Sequence, residues 1–163
     1  AQADLQLGSA LARERLLEDL LQPVMGDYDY ILIDCPPSLS LMTLNAITVS
    51  DEVLIPLVAE TLPFKGLTMI TDFVGMVKAK LNPKVKVAGV LITRYEKSNL
   101  SKQIENGLRE SLGELVFETK IRKNITVAQA PLEATNIVDY DKKSNGAIDY
   151  VAFTDEYLSR KNS

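Results

Sequence analysis

The sequence contains no histidine, a single cysteine and no lysine directly after any of its eight glycines. Each absence closes a route. A nucleophilic cysteine needs a neighbouring base, and with no histidine anywhere the usual partner is missing. One cysteine, Cys35, excludes an internal disulfide and any cysteine-rich metal centre. Because no Gly-Lys pair occurs, these 163 residues hold no Gly-x-x-x-x-Gly-Lys-Ser/Thr loop, whose amides wrap phosphates while the lysine neutralises them. No apolar stretch approaches the roughly 18 residues of a membrane span, and no signal peptide with a basic start is visible. A cytoplasmic location is therefore expected. What remains is ordinary for a globular α/β protein with one core: 46% hydrophobic residues, 25% charged residues and a net charge of −4.

The most informative stretch is Tyr28-Asp29-Tyr30-Ile31-Leu32-Ile33-Asp34-Cys35-Pro36-Pro37-Ser38. Its centre is a short apolar run rich in β-formers, the pattern of a strand covered on both faces in a parallel sheet. Asp34 closes the run. In open α/β sheets ligands collect at the carboxyl ends of strands, and a carboxylate there can hold magnesium directly or through water. Pro36 and Pro37 lack amide donors and turn the chain away from the sheet. From these eleven residues alone two readings stand equally: a magnesium and phosphate site, or a strand ending in a turn-forming Asp-Cys-Pro-Pro. Cys35 reads as a small buried residue beneath that site.

Periodicity predicts alternating elements along the chain. Leu5 to Gln22 has a helical leucine pattern that Pro23 stops. Strand 28–34, helix 40–49, strand 52–58, helix 64–81, strand 85–93 and helix 99–112 follow. Then come a short strand at 115–119, a mostly helical turn at 124–130, a short strand at 136–139 and helix 146–160. Strands alternating with helices of ten or more residues imply parallel pairing with right-handed crossovers. The expected fold is a three-layer, doubly wound, mostly parallel sheet with helices on both faces, in a single domain over residues 1–163.

Several segments carry a family resemblance. Asp34-Cys35-Pro36-Pro37-Ser38, leading to Thr43-Leu44-Asn45-Ala46, resembles the Walker B region of the ParA/Soj partition ATPases, where Asp-x-Pro-Pro-Ser runs into a helix ending Thr-Leu-Asn-Ala. The MinD group, of the same fold, resembles Asp-Ser-Pro-Ala-Gly here instead. Asp51 to Leu57 with Ala59-Glu60 looks like the next strand and its Pro-x-x-x-Glu exit, and Gly66-Leu67 opens a long helix as in the family. Val87 to Tyr95 matches the following strand, and Asn99-Leu100-Ser101 starts the next helix. Ile121 to Pro131 is similar to Ile-Pro-Arg-Asn-Val-Arg-Leu-Ser-Glu-Ala-Pro, with departures: Arg122 stands for the proline, Thr126 for the second arginine, and Ala128-Gln129 for Ser-Glu. Tyr140-Asp141-Lys142-Lys143-Ser144-Asn145-Gly146-Ala147 resembles the Tyr-Asp-x-x-Ser-x-Gly-Ala before the last helix.

The resemblance implies the C-terminal two thirds of a ParA-like ATPase domain, truncated before Ala1, where the P-loop of a family member would lie. It implies ATP and Mg2+ as cofactors of the intact protein, with Asp34 as the catalytic and metal-binding carboxylate. Thr93, Arg94, Arg122, Lys123 and Pro131 fall near the base pocket. It also implies a homodimer in the ATP-bound form, nonspecific DNA, a centromere-binding adaptor protein as partners, and association with the nucleoid. The alternative is a non-catalytic relic or interaction module that keeps the fold without hydrolysis.

Charge bears on the DNA expectation. An acidic chain binds duplex only through a local patch of Lys and Arg. Arg94, Lys97 and Lys123 are the leading candidates, with Lys102, Lys120, Arg122, Lys142 and Lys143 behind them. Each taken singly reads better as solvated charge. In the last helix Ala147, Tyr150, Val151, Thr154, Tyr157 and Leu158 form one stripe, and the other face carries Asp149, Asp155 and Glu156. Membrane-surface helices favour lysine and arginine on that face. The stripe is therefore expected to face the core and not a membrane.

Overall fold

The computed structural model describes residues 13–59 and 64–161. The expected helical residues before 13, and Glu60 of the Pro-x-x-x-Glu exit, lie outside the described residues. The chain forms two compact units, Ala1–Val53 with Gly66–Val87 and Leu54–Lys65 with Ala88–Ser163.

In the first unit, helix α1 (Leu16–Leu21) is followed by a 3-10 turn at Met25–Asp27 and by helix α2 (Leu41–Val49). Asn45 joins the two helices. Its buried amide donates to Arg13 O at 2.8 Å and Leu41 O at 2.9 Å, and its Oδ1 accepts the Leu17 N–H at 3.1 Å. Each hydrogen-bonding group of the side chain is thus used, as burial of an amide requires. Ile47 of α2 packs with Val74, Val77 and Val85, with Leu44, Val53, Ile70, Phe73, Leu81 and Val87 around them. Asn82 closes this core by donating to Ser50 O at 2.7 Å.

Strand β1 (Glu52–Val58), helix α3 (Phe64–Lys80) and strand β2 (Lys86–Thr93) follow the predicted alternation. The Lys86 N–H meets Asp51 O at the start of the pair and the Ala59 N–H meets Thr93 O at its end, so β1 and β2 run parallel. Helix α4 (Asn99–Leu112) begins where the sequence marks it, because Ser98 Oγ accepts the Ser101 N–H as an N-cap. After a 3-10 turn at Gly113–Leu115, segment 116–122 lies beside β2 through parallel bridges Val90–Val116 and Tyr95–Arg122. The expected strand 115–119 is reduced to the first of these bridges. Helix α5 (Ile125–Gln129), a 3-10 turn at Ala130–Glu133, helix α6 (Ile137–Tyr140) and helix α7 (Asn145–Lys161) complete the second unit.

Three expectations are corrected. Residues 28–34 form no β ladder among the described residues, and Leu32 is 95% exposed with Tyr28 at 65%. An apolar period reports extended backbone, but a strand also needs a neighbour to supply its hydrogen bonds. Segment 136–139 is helical, because Asn136 Oδ1 accepts the Asp139 N–H at 2.9 Å and so caps α6. In α7 the core is met by Ala147, Tyr150, Phe153 and Tyr157, whereas Val151 lies exposed with Ile148. Phe153 packs edge-on against the buried Phe117 with ring centroids 5.0 Å apart, a favoured arrangement of two aromatic quadrupoles.

Candidate functional site

Asp34 sits at the end of a largely exposed run, outside any helix or strand, in the first unit. The proline pair then turns the chain, and Thr43 of α2 ties that turn down by donating to Ser38 O at 2.6 Å. Ser40, at the N-cap position of α2, has a buried Oγ without a hydrogen-bond partner. Cys35 is exposed rather than buried beneath the site. Partial burial, and secondarily the negative charge of Asp34, push its thiol above the usual range. A thiol so shifted is a poor nucleophile near neutral pH. Among the described residues no cluster of three or more Asp, Glu, Cys or His gathers. A site with one carboxylate differs from a closed protein cage, and an ion of the magnesium type takes its remaining ligands from phosphate oxygens and water.

The second unit brings together the other candidate residues. Thr93 ends β2 and donates through Oγ1 to Leu57 O at 3.3 Å. Arg94 turns the chain with φ of 51°, a left-handed conformation that is uncommon outside glycine. Tyr95 then pairs with the incoming segment, its N–H meeting Ile121 O at 2.9 Å and its O accepting the Lys123 N–H at 3.1 Å. Thr93, Arg94, Arg122 and Lys123 therefore share one edge. Lys97 is exposed near them, and Lys123 Nζ pairs with Glu96 Oε1 at 2.5 Å. Pro131 follows α5 and is exposed in its 3-10 turn. Lys120 is engaged with Glu105 at 2.7 Å and lies over the Tyr95 ring, which leaves it a weaker candidate for phosphate.

Arg122 is held in a way the sequence did not disclose. Asp149 of α7 accepts its backbone N–H at 2.9 Å and takes its guanidinium through Nε and Nη2, the latter at 2.7 Å. This hydrogen-bonded pairing holds the guanidinium pKa above its already high ordinary value. Glu156 and Arg160 act similarly on the preceding residues. Glu156 accepts the N–H groups of Glu118 and Thr119, both at 2.8 Å, and Arg160 donates to Glu114 O at 2.6 Å and Val116 O at 3.1 Å. Thus α7 grips the main chain of segment 114–122, whose other side faces β2. The readable signal was an acid, an acid and a base at intervals near whole helical turns, on a helix beside an apolar face.

Glu156 has a pH consequence. Burial alone would raise its pKa, but hydrogen bonds from Thr119 and Glu118, together with Arg160, bring it below the ordinary carboxylate value. A folded-state pKa below the unfolded one gives stability that is complete above the unfolded value and lost as pH falls through the folded one. Glu156→Gln is expected to be less stable than the parent at pH 7, with the gap narrowing as pH drops below about 4.3. Chemical denaturation at a series of pH values measures this. A gap that stayed constant from neutral pH to acid would remove the charge of Glu156 from the account.

Compared with solved structures, the parallel β1–β2 pair with its helices belongs to the P-loop NTPase-like α/β class and is compatible with a three-layer arrangement. The AAA-domain family profile matches residues 1–87. The chromosome partitioning protein ParA of Myxococcus xanthus is 38% identical over 159 residues, covering 97% of this chain and 56% of its own length. The sporulation initiation inhibitor protein Soj of Bacillus subtilis is 36% identical over 157 residues, covering 96% of this chain and 62% of its own. The crystal structure of cobyrinic acid a,c-diamide synthase from Mycobacterium smegmatis, with bound ATP analog and magnesium, has a TM-score of 0.80 at 31% identity. That likeness covers 99% of this chain and 59% of the synthase. The chain belongs to the AAA-domain family, among its ParA/MinD-type partition ATPases. It spans between half and two thirds of the length of the curated relatives it matches. Among the described residues no helix is long and apolar enough to cross a membrane.

Proposed function

We propose that this chain is the Walker B-bearing part of one ATPase domain that binds ATP with magnesium and hydrolyses it to drive partition of plasmid or chromosomal DNA. One observation carries the reading. The Asp34-Cys35-Pro36-Pro37-Ser38 turn stands before α2 in a chain that aligns over 97% of its length with a chromosome partitioning ParA. When bound, magnesium would neutralise phosphate charge and orient an attacking water. Asp34 would hold it through a single carboxylate. Thr93, Arg94, Lys123 and Pro131 would border the base. Arg122 would serve there chiefly through its carbonyl, because both its N–H and its guanidinium are given to Asp149.

The partners follow from the same reading: a second subunit joined by ATP, duplex DNA without sequence preference, and a centromere-binding adaptor. Arg94, Lys97 and Lys123 would meet DNA phosphates. The surface pair of Lys123 with Glu96 is half exposed and costs little to open, because such pairs contribute about 0–1 kcal/mol.

The 163-residue chain by itself is expected to show no ATP hydrolysis, since it holds no Gly-Lys phosphate loop. In a protein that joins this sequence to a lysine-bearing loop, Asp34→Ala is expected to leave the fold intact and abolish magnesium-dependent turnover. Phosphate release at saturating magnesium is the measurement. Turnover unchanged by Asp34→Ala would exclude Asp34 from the site, and turnover by the 163-residue chain would favour a different phosphate-binding element.

A further inference from the structure

The main chain at Arg122 is anchored from two sides. Toward β2, Tyr95 bonds to the residues that flank it, giving its N–H to Ile121 O at 2.9 Å and accepting the Lys123 N–H at 3.1 Å. The Arg122 N–H is left for the other side, where the buried Asp149 takes it at 2.9 Å and accepts from Nη2 at 2.7 Å. Gly146 lies three residues earlier, hence on the same face of α7. A Cβ there would overlap Val127 Cγ2 of α5 and stand 3.7 Å from Asn124 Cγ. Asn124 is itself fixed, because its Oδ1 accepts the Thr126 N–H at 2.8 Å as the N-cap of α5. The start of α7 is fixed too, since Ser144 Oγ accepts the Ala147 N–H at 3.1 Å. Residues 122–127 therefore rest on α7 at both ends, by a hydrogen-bonded carboxylate at one and by a missing side chain at the other.

We propose that Asp149 is a positioning residue for the nucleotide base, with Gly146 as its spacer, and that together they set how far the 122–127 wall stands from Thr93 and Arg94. The proposal rests on the reading of these two segments as the border of the base. Only two isolated bridges, Val90–Val116 and Tyr95–Arg122, tie segment 116–122 to β2, so the ladder alone fixes the wall weakly. A proline at 122 would restrain φ and present no donor. An arginine does neither, and Asp149 supplies by hydrogen bonds the restraint that a ring would supply covalently. Binding that depends on placement falls steeply with small displacements, even when the change lies away from the ligand. Asp149 thus acts on the part of the pocket that meets the base, and its loss should leave the phosphate part as it was.

Calorimetric titration of the loop-bearing protein described above, with MgATP and separately with magnesium tripolyphosphate, reads the two parts apart. It is done at a temperature where circular dichroism shows each variant folded. Asp149→Ala is expected to weaken ATP about tenfold and tripolyphosphate by less than about twofold. Gly146→Ala, which keeps Asp149, is expected to give the same split. Arg122→Pro on the Asp149→Ala background is expected to return ATP affinity to within about threefold of the parent, because the orphaned donor is gone and φ is restrained again. Should Asp149→Ala not fold, Asp149→Asn keeps one acceptor and carries the test with a smaller split, about threefold. Variants at 149 and 146 that bind both probes like the parent overturn the proposal. So does an equal loss for both probes, which would make α7 a support of the fold only. Pro131→Arg, placed in the border itself, tests the reading beneath. If it splits the probes and the α7 variants do not, the border of the base stands and the role of Asp149 falls. If none of them splits the probes, the border of the base falls and the proposal with it.

Discussion

Gly89→Ala is expected to destabilise the chain by about 3 kcal/mol or more, lowering Tm by roughly 6–12 °C. Gly89 lies within β2 at φ of 156°, and a Cβ there would stand 2.6 Å from Leu115 O and 2.6 Å from Phe117 Cε2. Neither neighbour can yield cheaply. Leu115 O is backbone in the 3-10 turn that leads to the Val116 bridge, and the Phe117 ring is fully buried against Phe153. Relief therefore requires segment 115–117 to move away from β2 at the point where the Phe117 N–H donates to Val90 O at 3.0 Å. Gly75→Ala is the matched control. Gly75 is inside α3 with nothing within 4 Å of the added Cβ, so the change should stabilise by about 0.5–1 kcal/mol. Thermal unfolding of both variants reads the pair of opposite signs. Equal effects in the two would show that the close approach at Gly89 is not what fixes that residue.

Asp149→Ala is expected to cost about 3 kcal/mol, and Arg122→Pro placed on the same background should recover part of that loss. The single change orphans two groups at once, the Arg122 guanidinium and the Arg122 N–H. The guanidinium is 43% exposed and can turn to water, whereas Asp149 is nearly buried. Hence the backbone donor carries much of the penalty. That donor points away from β2, because the ladder between Tyr95 and this segment uses Ile121 O and the Lys123 N–H and leaves position 122 out. A proline at 122 removes the orphaned donor without breaking the ladder. Urea unfolding of Asp149→Ala, Arg122→Pro and the double variant gives the coupling, with an expected magnitude of about 1–3 kcal/mol. Strict additivity would show that the two residues act independently.

The resemblance noted a proline where this chain has Arg122 but did not indicate what accompanied the change. Asp149 could not be assigned from the sequence, since an aspartate on the charged side of an amphipathic helix looks the same whether it meets water or a main-chain N–H. By contrast β1, β2 and α4 were legible at their boundaries. Each combines an unbroken apolar run or a capping serine with a clear stop, so local chemistry and tertiary context agree. Where they diverge the reading failed. Ile137-Val138 has β-branched residues, yet the Asn136 cap decides for helix. Tyr30 to Ile33 has a strand composition, yet pairing is a property of two segments and cannot be read from one. Asp34 was legible as a motif residue, and its surroundings, including the unsatisfied Ser40 hydroxyl, were not.

Apart from the Phe117 ring and the Arg122 guanidinium, helix α7 holds segment 114–122 by that segment's carbonyls and amides, and this affects tolerance to substitution. Exposed positions such as Glu114 and Glu118 can change identity without altering the contacts α7 makes there, because every amino acid except proline presents the same main-chain groups. The three holding residues have no such freedom. Saturation mutagenesis should therefore show an asymmetry across this contact: broad acceptance at the exposed positions 114 and 118, proline excepted, and narrow acceptance at Asp149, Glu156 and Arg160. Sequence drift on one side of the contact would then leave the other side unchanged.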